Sequence, residues 1–233
     1  MKRLLGLVTV VCAAFAAGAT RAEATNECRG LQVCVRVVGP WVVVPARGSA
    51  PRPRVEFQLS CPRRYLVGGL DAELSDRAID VSFVGKLGSP VAPGITTSRK
   101  AVFVATFVGS SRRSVTFRPH LGCVPSNGGG GGIPTAVVVP PGQPAVRRVR
   151  TLRVVPGRTW YVAAGCASGE RLVAGSHAVG FYTARPPAAP LVAAVAARQS
   201  LARDHVIVRV GGAGALGRVR AIVQVSAICA GGK

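Results

Sequence analysis

Apolar and polar residues alternate in two stretches that each end on a cysteine. Counting back from Cys123, Leu121, Pro119, Phe117 and Val115 share one face of an extended strand, and His120, Arg118, Thr116 and Ser114 share the other. The same parity before Cys229 groups Ala227, Val225, Val223, Ala221 and Val219 against Ser226, Gln224, Arg220 and Arg218, although Ile228 and Ile222 blur the polar face. Val55, Phe57 and Leu59 share a face with Cys61, and Trp160, Val162 and Ala164 share one with Cys166, so all four cysteines point inward. Elsewhere short runs rich in Val, Ala and Phe, such as 78–84 and 101–108, are separated by Gly, Pro and Ser turns. LVAAVAAR, residues 191–198, has helical propensity, but its place in the repeat set out next predicts a strand.

That repeat runs through the chain. FQLSCPRRYLVGGLDAEL, from Phe57, and YVAAGCASGERLVAGSHAVG, from Tyr161, give the same order: strand, Cys, a short polar turn, then Leu-Val-x-Gly. Upstream, Val42-Val-Val-Pro-Ala-Arg47 matches Arg153-Val-Val-Pro-Gly-Arg158. Cys61 to Cys123 spans 62 positions and Cys166 to Cys229 spans 63. The pattern predicts an all-β chain of two tandem antiparallel β-sandwich or jelly-roll-like modules, residues 23–125 and 134–233, joined by a Gly-rich linker, 126–133. Each module should fold separately. The competing picture is a continuous sandwich in which strands of both halves pair in a shared sheet, as 135–139 would allow.

Lys2 and Arg3 precede an uncharged Leu-, Val- and Ala-rich stretch from Leu4 to Thr20, the form of a secretory signal peptide, 1–22. Cleavage after Ala22 is preferred over Ala19 or Ala24. The apolar run is shorter than a membrane span, so no transmembrane segment is expected in the mature chain, which should be secreted, extracellular or periplasmic. Removal of the signal takes Cys12 and leaves Cys28, Cys34, Cys61, Cys123, Cys166 and Cys229, an even set that implies disulfides. Strand parity and the repeat pair Cys61 with Cys123 and Cys166 with Cys229, which leaves Cys28 and Cys34 to close a small loop. In the chain-entropy account each long bridge contributes about 4 kcal/mol and the short one about 2–3 kcal/mol.

Cys61-Pro62 with Val67-Gly-Gly69, and the closing Ala227-Ile-Cys229, resemble a disulfide-closed β-module (C-P-x-G, V-x-G-G, A-x-C) of secreted proteins from high-GC bacteria. The second copy keeps Gly169, Val173 and Gly175 but has Ala167 where the pattern has Pro, and Leu121-Gly-Cys123 fits the close loosely. Proteins of this kind are mostly uncharacterised, so the resemblance implies a small disulfide-closed β-fold and no activity.

The chemistry of the chain is sparse. VIVRVGGAGALGRVR carries G-x-G-x-x-G at Gly212, Gly214 and Gly217, but a strand pattern follows where a dinucleotide loop needs a helix, and no acid occurs after Asp204. A hairpin turn is expected there. No metalloprotease, serine-hydrolase or P-loop motif occurs; His120, His177 and His205 are far apart in sequence, each read as a half-exposed strand residue. No catalytic residue, no cofactor site and no enzyme activity are therefore expected, an undetected hydrolase being the remaining catalytic alternative.

Asp71, Glu73 and Asp76, with Asp80, gather in a chain that has nine acids in all. They read as a salt-bridged edge near Arg63, Arg64 and Arg77, with a cation site at Asp71, Glu73 and Asp76 as the alternative. Loss of Lys2, Arg3 and Arg21 with the signal lowers the net charge from +21 to +18. The densest basic patch, Arg147, Arg148, Arg150 and Arg153, lacks the interleaved aromatics of a base-stacking surface, so no specific nucleic acid is expected. Together these features suggest a structural or interaction protein of the envelope or exterior. Its expected partners are anionic cell-envelope polymers or carbohydrate, or another envelope protein.

Overall fold

The computed structural model describes residues 26–31, 33–45, 53–84, 98–110, 113–126 and 145–231. The expected signal segment, the glycine run 127–133 and the Val-rich stretch 135–139 lie outside them. The described residues are nearly all β. The strands of the first half are β1 (Val35–Val38), β2 (Trp41–Val44), β3 (Arg54–Ser60), β4 (Tyr65–Leu74), β5 (Ile79–Val84), β6 (Lys100–Phe107) and β7 (Val115–Pro125). Those of the second are β8 (Val146–Arg153), β9 (Thr159–Gly165), β10 (Glu170–Tyr182), β11 (Val195–Leu201), β12 (His205–Gly212) and β13 (Arg220–Gly231).

They form three antiparallel sheets. The largest runs β4-β7-β2-β10-β13-β8, with β1 beside β7 in line with β2. Gly39 and Pro40 separate β1 from β2, and the Gly39 N–H donates to the Pro119 carbonyl at 2.8 Å. Two three-stranded sheets, β3-β6-β5 and β11-β12-β9, complete the set. The strand orders of the halves match: β4-β7-β2 corresponds to β10-β13-β8, and β3-β6-β5 to β9-β12-β11. Strands from both halves meet in the large sheet, where β2 pairs with β10 at Val42–Gly180 and Trp41–Phe181.

Residues opposite one another in a pair point to the same face, which fixes where each core lies. Phe117, Leu121 and Cys123 of β7 and Val42 and Val44 of β2 pack with Val55 and Phe57 of β3 and Phe103 and Phe107 of β6. Val223, Val225, Ala227 and Cys229 of β13, with Phe181 of β10, pack with Val206, Val208 and Val210 of β12. In the register, Val42 lies opposite Gly180, and Gly180 opposite Ile222, so Ile222 shares the face of Phe117 while Val223 faces the other way. The two smaller sheets therefore cover opposite faces of the large one. Each fully buried Phe or Val contributes on the order of 1.5–3 kcal/mol, enough for these two cores to hold the fold.

This staggered arrangement explains why polar positions of β13 are buried. Gln224 and Ser226 fall on the face that parity assigns to solvent, yet they are buried, and Ile222 joins the first-half core. The edge of β3 lies over them. Gln224 Nε2 donates to the Gln58 carbonyl at 3.0 Å and the Gln58 N–H donates back to Gln224 Oε1 at 2.6 Å. A side-chain amide thus stands in for a missing neighbour strand.

Three local readings need correction. Residues 191–198 are not one strand: a short helix, α1 (Ala189–Ala193), precedes β11, because Pro190 sits in its first turn, where a missing N–H costs nothing. Trp160 does not join Val162 and Ala164 in the interior but is 40% exposed, since β9 is an edge strand. The Gly-rich stretch is not a hairpin turn either: it links β12 of one sheet to β13 of another, which do not pair, through a 3-10 turn at Gly214–Leu216 closed by Gly217 at φ 50.

Candidate functional site

Three disulfides are closed: Cys28–Cys34, Cys61–Cys123 and Cys166–Cys229. The long pairs tie the residue after β3 to β7 and the residue after β9 to β13. The short pair holds a loop against the outer face of β4 and β7. Gly69 and Gly122 make that contact possible, because a Cβ at either would overlap the Glu27 carbonyl. The glycines of the V-x-G-G stretch are thus packing positions for the loop.

Under the loop lies the densest ionisable cluster of the described residues. Glu27, 1% exposed, approaches His120 Nδ1 at 3.7 Å, and Glu73 Oε1 approaches His120 Nε2 at 3.1 Å. Neither contact is an aligned hydrogen bond. Arg36 reaches Glu27 at 3.5 Å from the solvent side, Arg118 reaches Glu73 at 3.9 Å, and the Arg118 guanidinium lies 5.8 Å from the Trp41 ring. His120 is therefore not half-exposed: the 26–34 loop buries it between two carboxylates. Neither His177, bonded to Gln199 at 2.9 Å, nor His205, bonded to Asp204 at 2.6 Å, comes near it. Glu27 carries no periodic signal, and only its place beside Cys28 in a chain short of acids marks it out.

The acid cluster does not converge. Asp71 accepts the N–H groups of Asn26 and Ala72, Glu73 turns to His120 and Arg118, and Asp76 accepts the Ala78 N–H. Of these acids Glu73 alone pairs with an arginine among the described residues, and it is Arg118, not Arg63, Arg64 or Arg77. Among the described residues the one close group of metal-type donors is Cys166, Glu170 and Cys229, and two of these are disulfide sulfurs without lone thiolates.

The basic run is divided by strand alternation. Arg147 turns inward to Glu56 at 2.7 Å and to the Ser226 hydroxyl at 2.8 Å. Arg148 makes a bidentate pair with Glu170 on the other face. Burial pushes the Glu56 carboxyl up, but hydrogen bonds and charge from Arg147 and Arg54 outweigh it and hold the group below its ordinary value. The Arg148 hydrogen bond, helped by the Ala167 N–H, does the same for Glu170. Arg150 and Arg153 remain exposed without an ion pair among the described residues. Val146, Val155, Trp160 and Tyr161, on and between β8 and β9, are also exposed, Tyr161 by 70% and on the opposite face of β9 from Trp160, with Arg158 6.0 Å from the Trp160 ring.

Among the described residues no helix is long and apolar enough to cross a membrane. No family model, curated protein or solved structure matches the chain.

Proposed function

We propose that the chain is a non-enzymatic structural or interaction protein exported to the cell envelope or exterior, with tandem β-modules as its scaffold. The observation that carries this reading is the exposed edge at β8 and β9, where Trp160 and Tyr161 are exposed and Arg150 and Arg153 have no ion pair among the described residues. Aromatic and arginine side chains together are the residues most enriched in protein contact sites. The ionisable cluster at His120 argues for the same reading, since a buried histidine beneath a disulfide-bonded loop touches no substrate. Export accords with three disulfides and with the likeness to secreted disulfide-closed modules.

A second reading, binding of anionic envelope polymers or carbohydrate, is favoured by the arginine excess. One experiment separates the two. The mature protein is immobilised, incubated with cell-wall extract and with heparin, and eluted in a salt gradient. Retention of a discrete protein that survives high salt and is lost in Tyr161→Ala supports the first reading. Release of polymer alone, steeply with salt, replaces it with the second.

A further inference from the structure

The inner joint between the halves has an unfilled counterpart at each end of the large sheet. Phe117 pairs with Val42 on one side and Leu74 on the other; Val223 pairs with Leu152 and Val179 in the same way. In the structure Val42 thus corresponds to Leu152 and Leu74 to Val179, one residue before the Arg153 and Gly180 that the sequence repeat aligns with them. Inside the chain β2 is met by β10, yet among the described residues no strand meets the outer edge of β8, the counterpart of β2, or of β4, the counterpart of β10. We infer that β8 and β9 of one copy receive the β4 edge of a second copy, so that chains join head to tail.

Three observations point to that occupant. The internal register, carried to the ends, sets Leu152 opposite Ser75 of the next copy and Arg153 opposite Leu74, which is 43% exposed. The buried edge of β3 has β9 as its counterpart, and there Tyr161 takes the place of Glu56 and stands uncovered. In the first half Glu56 reaches Arg147 across the joint; at the head the 26–34 loop already lies over Gly122 and His120, the counterparts of Ile228 and Ser226, so Tyr161 of the adjoining copy meets the outside of that loop beside Arg36, whose side chain is 59% exposed. Finally the same register sets Asp76, just after β4, opposite Thr151 and on the face of Arg153, so an acid meets an arginine across the joint.

The faces agree as well. Passing from β4-β7-β2 to β10-β13-β8 keeps the strand order, reverses the strand direction and moves the covering sheet to the opposite face. That operation is a half-turn about the line across the strands plus a step along it. Applied again it closes no ring, so the contact is heterologous and open-ended. With only two residue pairs at the internal joint, the contact between separate molecules is weak and depends on concentration.

This inference deepens the interaction-protein reading by naming its partner as a second copy. The test is sedimentation equilibrium of the whole, disulfide-bonded protein at low salt. Weight-average mass should climb with concentration without a plateau. Arg153→Glu at the tail and Leu74→Arg at the head should each weaken association at least about tenfold, as a reversed or repelling charge does. An equimolar mixture of Tyr161→Ala and Leu74→Arg retains one good tail and one good head, and should stop at pairs. Circular dichroism confirms that each variant is folded, and Tyr161→Ala serves as a second tail variant. A monomer at every concentration, or a closed dimer indifferent to these changes, overturns the inference. A monomer that still captures an envelope protein would sink the self-joint alone and leave the broader reading standing.

Discussion

Replacing Gln224 by leucine removes the amide that closes the edge of β3. The side chain is buried and makes two hydrogen bonds with the backbone of Gln58, one donated and one accepted. Leucine fills similar space but leaves the Gln58 N–H and carbonyl without partners in a part-buried place. At about 1–2 kcal/mol for each orphaned group the loss is about 2–4 kcal/mol. With a urea slope of about 2 kcal/mol per molar, the midpoint should fall by about 1–2 M. Gln224→Glu keeps an acceptor for the Gln58 N–H but loses the donor, so it should fall between wild type and leucine. The two tryptophans give each half its own signal: Trp41 lies at the joint in the first half and Trp160 in the second. Urea titration of the Trp41→Phe and Trp160→Phe backgrounds, each with and without Gln224→Leu, reads both halves. The glutamine pair couples them, so both probes should shift. A midpoint unchanged within about 0.5 kcal/mol of stability, or a shift confined to Trp160, refutes the reasoning.

Stability should fall on acidification. Glu56 and Glu170 are held below the ordinary carboxyl value of 4.5, so the unfolded chain binds their protons first. Their contribution is complete above that value and is lost as pH drops through the lowered ones; thermal melts from pH 6 to 3 should decline, less steeply in Glu56→Gln. Gly122→Ala places a methyl against the Glu27 carbonyl and should cost about 1–3 kcal/mol while lifting the 26–34 loop, read as faster proteolysis near Arg29 or Arg36. Cys61→Ala with Cys123→Ala should lower stability by about 4 kcal/mol in chemical unfolding, more than the same change at Cys28 and Cys34. Residues 134–233, expressed under oxidising conditions, should close Cys166–Cys229 but melt below the whole chain, because Gln224 loses Gln58 and Arg147 loses Glu56.

Strand parity was readable because each core is one-sided along β7 and β13, and a cysteine at the end of each alternation marked the inner face. The same argument led to the cysteine pairs that the structure closes. It misjudged His120, Gln224 and Ser226 for a common reason. Parity tells which residues share a face, and says nothing of what else in the chain arrives to cover it. The 26–34 loop covers the first of these and β3 the other two, both from distant sequence. Ile222 and Ile228, which looked like noise in the alternation, mark a strand covered on both faces. The cluster of Glu27, His120 and Glu73 was illegible because its members lie on three separated segments, whereas Arg147 to Arg153 was visible as a run but split by strand alternation into members with different partners.

The placement of the two long disulfides has a mechanical consequence. Tension applied along the backbone passes through the sulfur bridges, and the 62 and 63 positions they span stay slack. Each withheld loop is about 200 Å of contour that cannot be drawn out while its bridge holds. Only the segments before Cys61, between Cys123 and Cys166, and after Cys229 can lengthen under load. β2 and β8 lie in those segments, but β7 and β13, against which they pair, keep their first eight or nine residues inside the bridged loops. A pulled chain would therefore shed its junction strands early and then stop short, behaving as a tether of limited extension.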